Sequence, residues 1–496
     1  MTTHPGTKTV GFNEPLIFDR GSEGRSGASV SKLDVPEVDA GSIFPKELLR
    51  GHAAALPEVS EPEAVRHFVR LSTWNFSVDH QFYPLGSCTM KYNPKINEWA
   101  ARLPGFAKLH PYTPARLAQG AIALVYELER MLAEVSGMGA VSLQPAAGAH
   151  GELTAMMVIR KALTDRGDPR KRVLIPDTAH GTNPATCTLN GYTVEAIASS
   201  EDGRLDPRAV AEKMDADVAA LMLTNPNTLG LFERNIKEVA EIVHAKGGLV
   251  FGDGANLNAI MGAGRPGDFG VDAMQFNLHK TFSTPHGGGG PGSGPIGVAA
   301  PLAQYLPTPR PVKLADGSFA LSEDFPKSIG RVRSFYGNFG IMVRAYAYIR
   351  ELGGAGLAEA SRMAVLNANY LLQLIKDHYH VPFGDGRCMH EVIACDRDLI
   401  RDTGVSTLDV AKALIDRGFH PPTVYFPLVV KGALMCEPTE TETREAIDEF
   451  ARALIDIAEL AKTDAAAVHR APERTRLGRL DETAAARKPV LKAEER

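Results

Sequence analysis

Apolar residues fall into two rhythms along this chain. From Arg116 to Val135 (RLAQGAIALVYELERMLAEV), Leu117, Ile122, Leu124, Leu128 and Leu132 recur at helical spacing, with Gly137 just past the end. Short strand-like runs follow: Arg172–Ile175, Tyr192–Ile197, Val218–Leu223, Gly248–Phe251 and Ala273–Phe276. Helical patterns separate them, one being Ile236–Lys246, closed by Gly247 and Gly248. This alternation predicts an α/β domain with a mostly parallel sheet. Ligands of such sheets bind beyond the carboxyl ends of the strands, which directs the search to the residues after each run.

Around this block the text changes character. The pattern predicts an N-terminal arm and loop segment (1–110), a large domain (111–345), a smaller C-terminal α/β domain (346–465) and a charged tail (466–496). In the smaller domain the helices fall near Leu357–His378, Leu408–Arg417 and Thr443–Leu460, and a further helical stretch, Ile341–Leu352, precedes them. With 496 residues, 44% hydrophobic and 23% charged, the chain has the composition of a folded globular protein. A net charge of −5 speaks against nucleic-acid and membrane-surface binding. Five scattered cysteines do not form a disulfide framework, and no run suits a membrane span or a leader, so a cytoplasmic location is expected.

Chemistry concentrates at the predicted strand ends. Lys280 follows the run Ala273–Phe276 and precedes a glycine-rich loop, His286–Gly297. An amine there either is a solvated charge or forms a Schiff base with a carbonyl ligand. Asp253, at the end of the preceding run, either caps a helix or, about 5 Å away on a neighbouring strand, keeps a ring nitrogen protonated. Ala147, Gly148 and Ala149 open an apolar helical stretch whose free N–H groups suit a phosphate, or they form an ordinary turn. His180 stacks on a flat ligand or is a bonded loop histidine, and Thr224–Thr228 offers hydroxyls and amides to a phenolic oxygen. Gly262–Gly267 spells G-x-G-x-x-G, but Pro266 occupies the place where a dinucleotide-binding helix should begin. The histidines and cysteines show no ligand spacing, so no metal is expected.

These strand ends resemble the fold-type-I pyridoxal-phosphate enzymes. The stretches DGANLNAIMG (Asp253–Gly262), NLHKTF, TPHGGGGPG, AHGTNPA, LTNPNTLGLFE, YPLGSCTMKYNP, GFHPPTVYFP and EPTE resemble one family, the glycine decarboxylases, or P proteins, of the glycine cleavage system. The matches run from about Asp79 to Glu440, and the length resembles subunit 2 of the split, two-chain bacterial form. The resemblance implies a seven-stranded-type, mostly parallel sheet in the large domain. It implies that Lys280 holds pyridoxal 5'-phosphate as an imine, that Asp253 pairs with the ring nitrogen, and that His180 packs on the ring. It also implies a phosphate cradle at Ala147, Gly148 and Ala149, with Thr228 and His279 close by. The implied reaction releases CO2 from glycine and delivers the aminomethyl group to the lipoyl arm of the H protein, whose disulfide is reduced; the activity is therefore an oxidoreductase's. Implied partners are glycine decarboxylase subunit 1, in a heterotetramer of two plus two, and the lipoylated H protein.

Other roles stay open. His180, His150 and His279 compete as acid/base. The loop Tyr83–Lys91, containing Cys88, is expected to line the mouth, with His420 and Tyr425 closing over it from the smaller domain. A lyase or transaminase on the same fold is one rival reading, with Arg331, Arg333 or Arg344 binding a carboxylate in a transaminase.

Overall fold

Seven of the apolar runs pair into one sheet. In the computed structural model, which describes residues 14–491 apart from 30, 53 and 288–291, the strands are β1 (Ala140–Ser142), β2 (Arg172–Pro176), β3 (Thr193–Ile197), β4 (Val218–Thr224), β5 (Leu249–Gly254), β6 (Ala273–Phe276) and β7 (Ile296–Val298). The centre of the glycine-rich loop and the last tail residues therefore lie outside the described residues. The order is β1-β7-β6-β5-β4-β2-β3, parallel except for β7, which runs antiparallel to both neighbours. Every residue of β4, β5 and β6 is buried, as a sheet covered on both faces requires. Alternation divides the side chains between the two faces: Leu221, Val250 and Phe276 join one core, while Met222 and Phe251 join the other beside Met156, Ile159 and Leu163 of the helix Gly148–Asp165.

Three expectations shift. The first helix begins at Gln119 rather than Arg116, because Ala115–Leu117 forms a separate 3-10 turn after Pro114, and this leaves Leu117 exposed rather than in the core. The expected domain boundary at 346 falls inside a helical run, Phe339–Ile375, broken at Gly353 (φ 61°). The tail also differs from a free segment: Glu482–Arg487 is helical, and Arg479 reaches Asp409 at 2.6 Å.

The C-terminal part has its own hydrophobic core and a three-stranded antiparallel sheet ordered β10-β12-β11, from β10 (Val392–Cys395), β11 (Thr423–Val424) and β12 (Ala433–Cys436). A hairpin, β8 (Arg310–Lys313) and β9 (Phe319–Ser322), lies between the two sheets in sequence. The N-terminal segment is sewn to the small sheet. Leu85 bridges Cys436, Gly86 N–H donates to Met435 O at 3.3 Å, and Glu437 N–H donates to Pro84 O at 3.1 Å. A Cβ on Gly86 would stand 2.1 Å from Met435 Cγ, so this approach needs glycine. Farther along, buried Lys91 joins three parts of the chain, donating to Glu440 (2.7 Å), Asn258 (2.8 Å) and Tyr348 (3.1 Å).

Candidate active site

The carboxyl ends of β1, β2, β4, β5 and β6 converge on a cleft of about 180 Å³ lined by Lys280, Asp253, His180, Gly148, Thr228 and His279, among others. They are five neighbouring strand ends except that antiparallel β7 stands between β1 and β6. Lys280 lies in a four-residue helix, Leu278–Thr281, directly after β6, and its amine donates to the Ser87 carbonyl at 2.8 Å. Asp253 is on β5, paired in register with Gln275 of β6. Its Oδ1 accepts from Gln275 Nε2 and from Ala255 N–H at 3.0 Å, and its Oδ2 accepts from Asn183 Nδ2 at 3.3 Å. The helix Gly148–Asp165 opens at Ala147, whose side chain cannot cap, so the first N–H groups have no intrahelical acceptor. A Cβ on Gly148 would sit 2.4 Å from Asn277 Nδ2, and one on Gly294 would sit 1.9 Å from Ala147 O. Glycine at both places lets the cradle close on β6.

Burial sets the protonation of the groups around the amine. His279 is pushed down to about 3, by burial first and then by His286 and Lys280, and its Nδ1 accepts from Ser293 N–H at 3.2 Å. The ring of His286 lies edge-on to it, with centroids 4.9 Å apart, and is itself held down to about 4 by burial. His180 is lowered by burial, partly opposed by Asp253; its Nδ1 accepts from Thr182 N–H at 3.2 Å, so its neutral form carries the proton on Nε2. One acid was missed in the sequence. Glu152 accepts from Thr182 Oγ1 (2.8 Å) and Asn183 Nδ2 (3.0 Å) beside Asp253, and burial, then Asp253, raises it to about 7. It stands two residues after His150 at the start of a predicted helix, and nothing in the text marks it as turning inward.

Several expected contacts differ at the site. Thr228 lines the cleft, but its hydroxyl proton goes to Thr178 O; Thr224 Oγ1 is the buried cleft hydroxyl without a partner. His150 lies outside the lining, with its Nδ1 accepting from Ala146 N–H at 3.1 Å, which leaves His180 and His279 beside the amine. His420 stacks on Tyr83 (3.9 Å) and Tyr425 is exposed; Phe426 meets the His180 ring instead, at 5.8 Å. Cys88 is half-buried, and burial raises its thiol, which lowers its thiolate character. Among the described residues no arginine lines the cleft: Arg344 pairs with Glu98 (2.7 Å), Arg331 with Glu323, and Arg333 donates to Asn338 (2.8 Å). Gly262–Gly267 leads into a 3-10 turn, Pro266–Phe269, rather than an α-helix.

Comparison with known proteins decides the family. A family model described as "Aminotransferase class-V" matches residues 150–289, and one described as "Glycine dehydrogenase, C-terminal domain" matches 360–475. The probable glycine dehydrogenase (decarboxylating) subunit 2 of Desulforamulus reducens is 54% identical over 97% of this chain and 99% of its own length. The corresponding protein of Caldanaerobacter subterraneus is 55% identical over 96% of this chain and 98% of its own. The chain belongs to the glycine dehydrogenase (decarboxylating) subunit 2 family.

Its backbone matches a glycine decarboxylase (P-protein) structure in inhibitor-bound form, with a TM-score of 0.70 at 21% identity, over 84% of this chain and 93% of that one. A sphingosine-1-phosphate lyase of Burkholderia pseudomallei gives 0.60 at 16% identity, over 88% and 95%. This member of the subunit 2 family therefore has the α/β fold of the fold-type-I pyridoxal-phosphate enzymes. The residues present suit such a group. A lysine amine, a carboxylate on the adjacent strand, an uncapped helix start and the unpartnered Thr224 hydroxyl all face one cleft. Among the described residues, no helix is long and apolar enough to cross a membrane. The one cluster there with metal-ligand chemistry is buried His390, Glu391 and Glu437.

Proposed function

We propose that this chain decarboxylates glycine with pyridoxal 5'-phosphate in the described cleft and passes the remaining aminomethyl group to the lipoyl arm of an H protein. The observation that carries this reading is the placement of Lys280 and Asp253 at neighbouring strand ends in one cleft, in a chain whose relatives are named glycine dehydrogenase (decarboxylating). When bound, the cofactor supplies an aldehyde for linkage to an amine and a ring that takes up the electron pair left when CO2 departs.

The chain's own residues bind and orient. Lys280 provides the amine, and the N–H groups at Gly148 and Ala149 receive the phosphate at the positive end of an 18-residue helix. Asp253, held by three donors, presents a fixed carboxylate to a ring N–H; a charge-assisted bond of this kind is about twice as strong as a neutral one. His180 and Thr224 complete the polar wall, and neutral His180 and His279, whose Nδ1 atoms accept backbone N–H groups, each carry an Nε2–H that can donate a hydrogen bond in the cleft.

Partners enter the reading through an unusually apolar N-terminal surface. Leu33, Val35, Val38, Ile43, Phe44 and Leu48 are exposed, and on the helix Glu61–Ser72 Val65, Phe68 and Val69 form one bare face. We assign this surface to glycine decarboxylase subunit 1, in a heterotetramer of two plus two, and a cytoplasmic location accompanies it.

Borohydride reduction of the cofactor-loaded protein followed by peptide mass spectrometry tests the core of the reading. The modification should map to Lys280 and vanish in Lys280→Ala. Asp253→Asn should keep the trapped adduct while glycine-dependent CO2 release falls by about 10²-fold or more, since the ring loses its charged partner. An unmodified Lys280 in the wild-type protein would refute the proposal.

A further inference from the structure

The carbonyl that receives the Lys280 amine sits on backbone held in an unfavourable shape. Ser87 and Thr89 are both left-handed, with φ of 65° and 47°, a region that residues with a Cβ disfavour. Such conformations persist only where the surroundings over-determine them, and they cluster at functional sites. Here the restraint comes from two buried acids of the C-terminal part. Ser87 N–H donates to Glu391 Oε2 at 3.0 Å, while Thr89 donates its N–H (2.8 Å) and its hydroxyl (2.6 Å) to the two oxygens of Glu437. Thr423 Oγ1 adds a bond to Gly86 O at 2.7 Å. Glu391 and Glu437 have no exposed surface; behind them His390 is also fully buried, with its Nε2 3.8 Å from Glu437 and neither ring nitrogen partnered. Burying two carboxyl groups is unfavourable, and holding the outline of a surface loop would not require it.

The proposed reaction gives this arrangement a task. With the cofactor bound, uptake of glycine would form a bond from glycine nitrogen to the carbon linked to Lys280 Nζ as the bond to Nζ breaks, and glycine's two amine protons would pass to Nζ. The freed amine, with its N–H groups, then needs an acceptor that keeps it within reach for the return step. We propose that the Ser87 carbonyl is that acceptor, and that Glu391 and Glu437 are positioning residues that hold Ser87–Thr89 in the strained shape presenting it. The orientation of the C-terminal part is thereby felt at the reactive amine. This inference rests on the function proposed above and names residues that it did not use.

Thr89→Val, Thr89→Ser and Glu437→Gln test it. Valine keeps the shape of threonine and removes one bond to Glu437; serine retains that bond; glutamine offers an N–H₂ where an acceptor is needed. Amide hydrogen exchange over residues 86–91, measured on cofactor-free protein, should accelerate about tenfold or more in Thr89→Val and Glu437→Gln and return towards wild type in Thr89→Ser. Stopped-flow absorbance of the loaded protein should show glycine displacing Lys280 about ten- to hundredfold more slowly in the first two, with glycine KM little changed. Unaltered exchange, or accelerated exchange with a wild-type displacement rate, would overturn the clamp. If borohydride fails to trap Lys280 in the wild type, the functional reading fails and the clamp's role falls with it; trapping in the wild type with unaffected variants sinks the clamp alone.

Discussion

Two carboxyl groups accept from the same amide beside the cleft, and burial raises one of them. Glu152, raised to about 7, shares Asn183 Nδ2 with Asp253. Folding raises its pKa, so between its ordinary range near 4.5 and about 7 the folded protein retains a proton that the unfolded chain has released. Stability must therefore fall as pH rises through that window. In cofactor-free protein, Glu152→Gln removes this contribution, and its melting temperature should decline less than that of the wild type across the window. The difference corresponds to roughly 2–3 kcal/mol, and thermal unfolding at several pH values measures it. Glu437 and Glu442, also raised to about 7, contribute equally to both proteins and cancel. Identical pH slopes would show that Glu152 is not the group holding the proton.

At the scale of elements, the site depends on how closely the helix Gly148–Asp165 approaches β6 and the segment before β7. Gly151 as well as Gly148 and Gly294 leaves no room for a Cβ, the nearest atom to one on Gly151 being Gly294 O at 2.5 Å. Asn338 then ties the cradle from outside, donating to Ala146 O at 3.1 Å and to Gly292 O. Gly294→Ala should push the backbone of Ala147 outward and weaken cofactor binding by about tenfold or more. Absorbance titration with pyridoxal 5'-phosphate checks this; unchanged affinity would show that the cradle tolerates the shift. The alternation of apolar runs with helical periods made this layout legible in the sequence. The three-residue strands β1 and β7 were not legible, because so short a run carries no measurable period.

For the whole molecule, the exposed face of Val65, Phe68 and Val69 is where the proposed companion chain would dock, and the names of the relatives, all subunit 2, point to such a chain. Phe68→Asp should leave the melting temperature of the isolated chain nearly unchanged, since the ring is 60% exposed, while weakening co-elution with glycine decarboxylase subunit 1 on size exclusion. Undiminished co-elution would move the interface elsewhere. The same scale explains Lys91: a buried amine shared by Glu440, Asn258 and Tyr348 fixes the N-terminal loop to both other parts of the chain.

Local pattern determined much of this protein. The central strand runs, the helix periods, and the placement of Lys280, Asp253 and His180 at strand ends all follow from residue order, because periodicity and turn chemistry act over a few neighbours. What required the tertiary structure acts over hundreds of residues. Glu391 and Glu437 lie 304 and 348 positions from Ser87 and Thr89, and Glu152 turns inward only because Thr182 and Asn183 meet it across a strand crossing. A carboxylate's role is set by what desolvates it and what donates to it, and both are properties of packing that no local run of residues contains.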